Sequence, residues 1–190
     1  MSAAAPVPGI ENHEFISKLA KRLPAIWPGY GLGAAFYFTA AYVFAVYGRA
    51  GLHPALFIVS ISSFLYYLYC IYRFYSVLES VPGWNSPNSA WGAVGRHFIP
   101  IYSYFWLFEW TSQIAEFVNW RTQKSRMRER LPAALLLLSF FGRFWDVSIA
   151  CILMFSVMVY IKRCLKDALV STTDALPPAP SFTGTLNLNG

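Results

Sequence analysis

Charge is scarce in this chain: Asp, Glu, Lys and Arg make up 13% of 190 residues, about half the share of an ordinary soluble domain. With 56% hydrophobic and 18% aromatic residues and a mean hydropathy of +0.42, the surface of a soluble globule cannot be built. The same figures exclude general disorder, which needs low hydrophobicity and high charge. Cysteine is scarce as well. Cys70, Cys151 and Cys164 form no C-x-x-C pair and are odd in number, so neither a zinc site nor a disulfide framework is indicated. There is no Asn-x-Ser/Thr acceptor, no G-x-S-x-G, no H-E-x-x-H and no phosphate-binding loop, which removes the commonest hydrolase, protease and nucleotide-binding signatures. His13, His53 and His97 fall in the tail or at segment boundaries, so paired histidines for haem or a metal inside the membrane are missing.

What is present is a series of apolar runs. They predict an all-α integral membrane protein with about four transmembrane helices plus a short N-terminal amphipathic helix. Residues 1–30 form a tail and an interfacial helix, in which Phe15, Ile16, Leu19 and Leu23 share one face opposite Lys18, Lys21 and Arg22. The membrane domain covers 31–168, with segments at about 32–47, 54–77, 98–120 and 131–161. Pro24, Pro28, Gly29, Gly31 and Gly33 delay the first helix to near Leu32. From Pro54 to Tyr72 runs an uncharged stretch whose length, at ~1.5 Å per residue, suits a hydrocarbon layer of ~30 Å. Pro82, Gly83, Asn85, Pro87 and Asn88 make a polar loop with Trp84 and Trp91 at headgroup level. Segment four is long enough to span with tilt or a bend near Gly142. Residues 169–190, with three prolines in 177–180, read as an extended C-terminal tail.

Net charge is +6, but the cations flank apolar segments instead of forming a patch for nucleic acid. Lys18, Lys21 and Arg22, and then Arg121, Lys124, Arg126, Arg128 and Arg130, are candidates for lipid-headgroup or partner contact. If all four segments span, eight cations face six across the bilayer. The N-terminal flank of the first helix then favours cytoplasmic termini, in what is expected to be a bacterial inner membrane.

Ionisable groups inside spanning segments cost about 2.5–3.5 kcal/mol each even on the lower scales, so those present carry weight. Tyr102, Glu109 and Glu116 recur every seven residues with Ser112 and Gln113 between them, and Ser139, Arg143 and Asp146 lie at i, i+4 and i+7. An antiparallel hairpin centred near Ser125 puts Glu109 and Arg143 at similar depth. The expected intramembrane polar seam is therefore Glu109, Gln113, Glu116, Ser139, Arg143 and Asp146, with a Glu109–Arg143 ion pair at its centre. Such a seam serves either helix and subunit docking or a proton or cation path along Glu109 and Glu116.

The run Phe98-Ile99-Pro100-Ile101-Tyr102-Ser103-Tyr104-Phe105-Trp106-Leu107-Phe108, followed by Ala115-Glu116-Phe117-Val118-Asn119, resembles a segment of uncharacterised small bacterial multi-pass membrane proteins with the pattern F-x-P-x-x-N-x-Y-W-x-F. Ser103 stands where that pattern has Asn, and Phe105 where it has Tyr. The resemblance covers residues 98–119, implies a four-helix membrane domain and brings no activity with it.

The sequence thus predicts a noncatalytic accessory or assembly subunit of a larger membrane complex, with a small proton or cation transporter or channel as the alternative. No catalytic residue, metal or cofactor is expected. Bound lipid is, and Tyr66, Tyr67, Tyr69, Tyr72 and Tyr75 leave contact with a pigment or quinone open. The expected partners are the lipid bilayer and other membrane subunits, not nucleic acid.

Overall fold

The computed structural model describes residues 8–48, 53–142 and 146–171. Regular structure among them is entirely helical: α1 (Pro8–Lys21), α2 (Trp27–Tyr47), α3 (Pro54–Glu79), α4 (Ala90–Gly95) running into a 3-10 turn (Arg96–Phe98), α5 (Tyr102–Thr122), α6 (Arg130–Gly142) and α7 (Val147–Val170). Three of them, α2, α3 and α7, are long and apolar enough to cross a membrane. The apolar α6 has 13 residues, about 20 Å of helix, and α5 is less apolar than any of the three.

α2 begins at Trp27, before the expected Leu32, because Pro28 sits in its first turn, where a missing N–H leaves no hydrogen bond unmade. Its glycines do not mark a helix start. Gly29 and Gly33 form the face that lies on α7: a Cβ added to Gly29 would stand 2.3 Å from the Phe155 ring, and one on Gly33 3.3 Å from Cys151. Small residues four apart let two helices approach closely. Gly48, at φ 66°, ends α2 in the left-handed conformation, its N–H bonded to the Phe44 carbonyl.

The expected single helix over 131–161 is two helices that fold back on each other. Arg126 pairs with Asp167 at 2.6 Å, and Ser139 lines the same small cavity as Ala150 and Met154, so α6 and α7 run antiparallel. Asp146 caps the second of them, accepting from the Ser148 and Ile149 N–H groups at 2.7 and 3.3 Å. Residues 143–145 lie outside the described residues, as do 1–7 and 172–190 in the expected tails.

The stretch 80–122 also departs from expectation. It is a hairpin that leaves the end of α3 carrying Arg73, runs back along α3, and returns to the same end. Trp84 meets Phe117 edge-on and Trp120 at a tilt near the hairpin's open end, Ala93 faces Trp106 midway, and Phe98 meets Phe64 near the tip. Here the chain turns through Ile99–Ile101. The tip's backbone is largely self-satisfied, with N–H groups of Ile99, Tyr102, Ser103 and Tyr104 all bonded within 96–104. Ile101 adopts φ 64°, an unfavourable conformation for a β-branched residue.

As a consequence the start of α2, the end of α3, the 123–129 loop and the end of α7 gather at one end of the molecule. Among the described cations, Arg96 alone lies away from it. α1 packs there against α7 through Leu19, one of the core residues. The core itself is aromatic, with Tyr67, Phe74, Tyr75, Trp106, Trp110, Phe117 and Phe155 fully enclosed.

Candidate functional site

The polar seam is built where the 80–122 hairpin lies against α3. Glu109 is its centre. One carboxylate oxygen accepts from the Arg96 guanidinium at 3.2 Å and from Gln113 Nε2 at 3.3 Å, while the other accepts from the Tyr102 hydroxyl at 2.9 Å. Helix periodicity supplies two of these partners, since Tyr102 and Gln113 lie two turns before and one turn after Glu109. The outgoing limb of the hairpin, which precedes α5, supplies the third.

From Gln113 the network turns inward. Its carbonyl oxygen accepts from the Tyr75 hydroxyl at 2.7 Å and from the Asn88 amide at 3.0 Å, all three residues being buried. An amide buried among aromatics is costly unless its groups are paired, and here both ends of Gln113 are. Arg96 also covers the Trp106 ring at 4.6 Å, a cation–π contact, and Trp106 donates its ring N–H to the Ala93 carbonyl at 2.9 Å. The Arg96 and Glu109 side chains remain 34% and 43% exposed, opening sideways beside exposed Phe98, Phe105 and Phe108.

Next to the seam, His97 is held by the Ala93 carbonyl at 3.0 Å and by the Tyr67 hydroxyl at 3.4 Å. Burial pushes its pKa down to about 4, so the ring is neutral at pH 7; its Nδ1–H donates to Ala93 and Nε2 is the acceptor. With Ser103, Tyr104, Phe64 and Phe140 it lines a pocket of about 130 Å³ at the hairpin tip, smaller than the roughly 300 Å³ and upward of small-molecule sites.

The other expected seam residues go elsewhere. Glu116 lies towards the charged end, where burial and the neighbouring Glu129 carboxylate raise its pKa; no contact joins it to Glu109. Ser139 is buried and donates to the Leu136 carbonyl of its own helix at 2.7 Å. Asp146 is the α7 cap. Arg143, and with it the expected Glu109–Arg143 pair, lies outside the described residues; the cation that Glu109 meets is Arg96. Asn88 and Arg96 escape the sequence reading because residues 80–95 read as a polar loop, and Tyr75 because it reads as one of several aromatics of the second segment. A Ser89 cap followed by Ala90–Gly95 was the available signal that this loop contains a helix.

Asn119, at the end of the 98–119 run, brackets the next loop. Its carbonyl oxygen accepts from the Arg126 and Met127 N–H groups at 2.9 and 3.0 Å, and its amide donates to the Met127 carbonyl at 3.0 Å. Among the described residues no three His, Cys, Asp or Glu side chains converge as metal ligands. Comparison of the chain with protein-family models, curated proteins and solved structures finds no match.

Proposed function

We propose that this chain is a noncatalytic accessory or assembly subunit of a larger membrane protein complex, embedded in a bacterial inner membrane with both termini on the cytoplasmic side. The observation that carries the reading is the Arg96–Glu109 pair. It is satisfied within the chain yet open sideways, on a face otherwise made of exposed aromatic rings. A charged pair half-exposed beside hydrocarbon is expensive, and a neighbouring subunit that covers it with its own polar groups removes that cost. The exposed aromatic rings and the Arg96 beside them belong to the residue types enriched at protein interfaces.

The orientation is supported by the gathering of the cations at one end, because cytoplasmic flanks carry the excess of Lys and Arg. Transport along Glu109 and Glu116 has less support: both carboxylate oxygens of Glu109 are engaged, and Glu116 faces a different neighbourhood.

Gentle detergent extraction followed by native electrophoresis and mass spectrometry tests the role. The expected result is a stoichiometric complex with other membrane proteins, lost in Glu109→Lys while the variant chain still accumulates. A lone monomer or a symmetric homo-oligomer overturns it, and proteoliposome cation flux abolished by Glu109→Gln favours the transporter.

A further inference from the structure

At the charged end, α3 presents Tyr66, Tyr69 and Arg73 along one face towards the link between α1 and α2. Tyr66 donates its hydroxyl to the Ala25 carbonyl, and the Tyr66 and Tyr69 rings lie 5.7 Å apart. One turn further, Arg73 donates through one terminal nitrogen to the Arg22 carbonyl at 2.6 Å. That is its one hydrogen bond. Its Nε is enclosed without a partner, and no carboxylate pairs with it among the described residues. α7 packs against α3, and Lys162, in the second half of α7, lies towards this same end of the molecule. Two acids of this end are committed elsewhere: Glu79 accepts from the Ala90 N–H and Asp167 holds Arg126.

A half-buried guanidinium with spare donors, and with no carboxylate on it among the described residues, is a site for an anionic oxygen group. The surroundings select the kind of anion. Beneath the guanidinium, Tyr69 is 47% exposed, and Trp27 at the start of α2 is 74% exposed; tyrosine and tryptophan in this position suit the boundary between headgroups and acyl chains. We propose that Arg73, with Lys162 and Arg22, binds the headgroup phosphate of an anionic phospholipid whose chains lie over Tyr69. This rests on membrane embedding but not on the accessory-subunit role, since lipid selectivity is read on the isolated chain.

The test is native mass spectrometry of the full chain released from nanodiscs containing phosphatidylglycerol and phosphatidylcholine in equal amounts. The chain is expected to retain phosphatidylglycerol preferentially, and Arg73→Gln to reduce that preference about fivefold, the effect of one cation near an anionic lipid surface. Arg163→Gln, which removes an exposed cation one residue beyond Lys162, should leave most of it. If Arg73→Gln does not accumulate, the Arg22→Gln, Lys162→Gln double variant carries the same expectation. Equal retention of both lipids by the unaltered chain, or undiminished preference in the folded variants, overturns the proposal. So does inorganic phosphate that stabilises the lipid-free chain and abolishes the lipid preference, because the site then takes free phosphate.

Discussion

α2 and α5 are both 21 residues long and are opposite in almost every other respect. α2 contains no ionisable acid or base and buries three residues, two of them glycines; the rest of its surface is apolar and bare, with Tyr37, Phe38, Tyr42 and Phe44 exposed. α5 carries Glu109, Glu116 and Arg121 and buries ten residues among the outgoing limb of the hairpin, α6 and α7. In water the more buried helix would be the more hydrophobic one. Here the order is reversed, because lipid tails solvate an apolar helix as well as protein does. The polar helix is the one that needs protein around it, to satisfy what hydrocarbon cannot. On this ground we propose that α2 crosses the membrane and that α5, with the limb before it, re-enters it.

That contrast breaks most sharply on topology. In a background with Cys70, Cys151 and Cys164 replaced by Ser, single cysteines at Ser17 and Ser125 should react with a membrane-impermeant thiol reagent from the same side. Labelling from opposite sides would mean that α5 crosses like α2, and the re-entrant reading would fall. The next largest effect concerns how α2 is held. Gly29→Ala puts a methyl group into the Phe155 ring and is expected to cost about 1–3 kcal/mol, as in overpacked cores. Gly31→Ala points into open space and should be neutral or stabilising by up to ~1 kcal/mol, since Ala is the better helix former. Denaturant titration in mild detergent checks both. Equal effects at the two positions would show that α2 does not sit on α7 through its glycine face.

The same contrast explains what could be read in advance. Apolar length is a local property, so the span starting at Pro54 was legible almost to its end at Glu79. The Tyr102–Glu109–Gln113 grouping was legible too, because a helix repeats every 3.6 residues whatever surrounds it. The break between α6 and α7 is hidden by apolar sequence on both sides: Asp146 reads as an intramembrane charge, whereas two N–H groups of α7 occupy its carboxylate. Arg96 was hidden differently. It reaches Glu109 only because the chain turns back at Pro100, and a reversal that brings distant residues together leaves no periodic trace. Counting charges across four assumed spans gives a near balance, while a returning 80–122 hairpin moves the 121–130 cations to the end that holds the start of α2 and the end of α7.

On α5 the corresponding test is polar. Asn119→Ala removes the acceptor for two N–H groups and the donor to one carbonyl around Met127, a fully buried residue. Leaving buried backbone groups unpaired costs about 1–3 kcal/mol, and the loss should appear in denaturant titration together with faster proteolysis at Lys124 and Arg126. Asn119→Asp, which keeps the acceptor and loses the donor, should fall between Ala and the unaltered chain. If Ala and Asp behave alike, the side-chain carbonyl is not what holds the loop.

The smallest expected effect comes from Asp146, where a polar residue in an apolar stretch serves backbone rather than charge. Two N–H groups at the start of α7 depend on its carboxylate, and removing such a cap costs about 0.5–2 kcal/mol. Asp146→Ala is expected to lower stability within that range, whereas Asp146→Asn should lose only a few tenths of a kcal/mol, because the amide oxygen still accepts both bonds. If the carboxylate instead served as an intramembrane counter-charge, Asn would be as damaging as Ala. The ratio of the two losses therefore decides between a cap and a buried ion, and a cap at this position requires that the chain reverse just before it, as the α6–α7 pairing does.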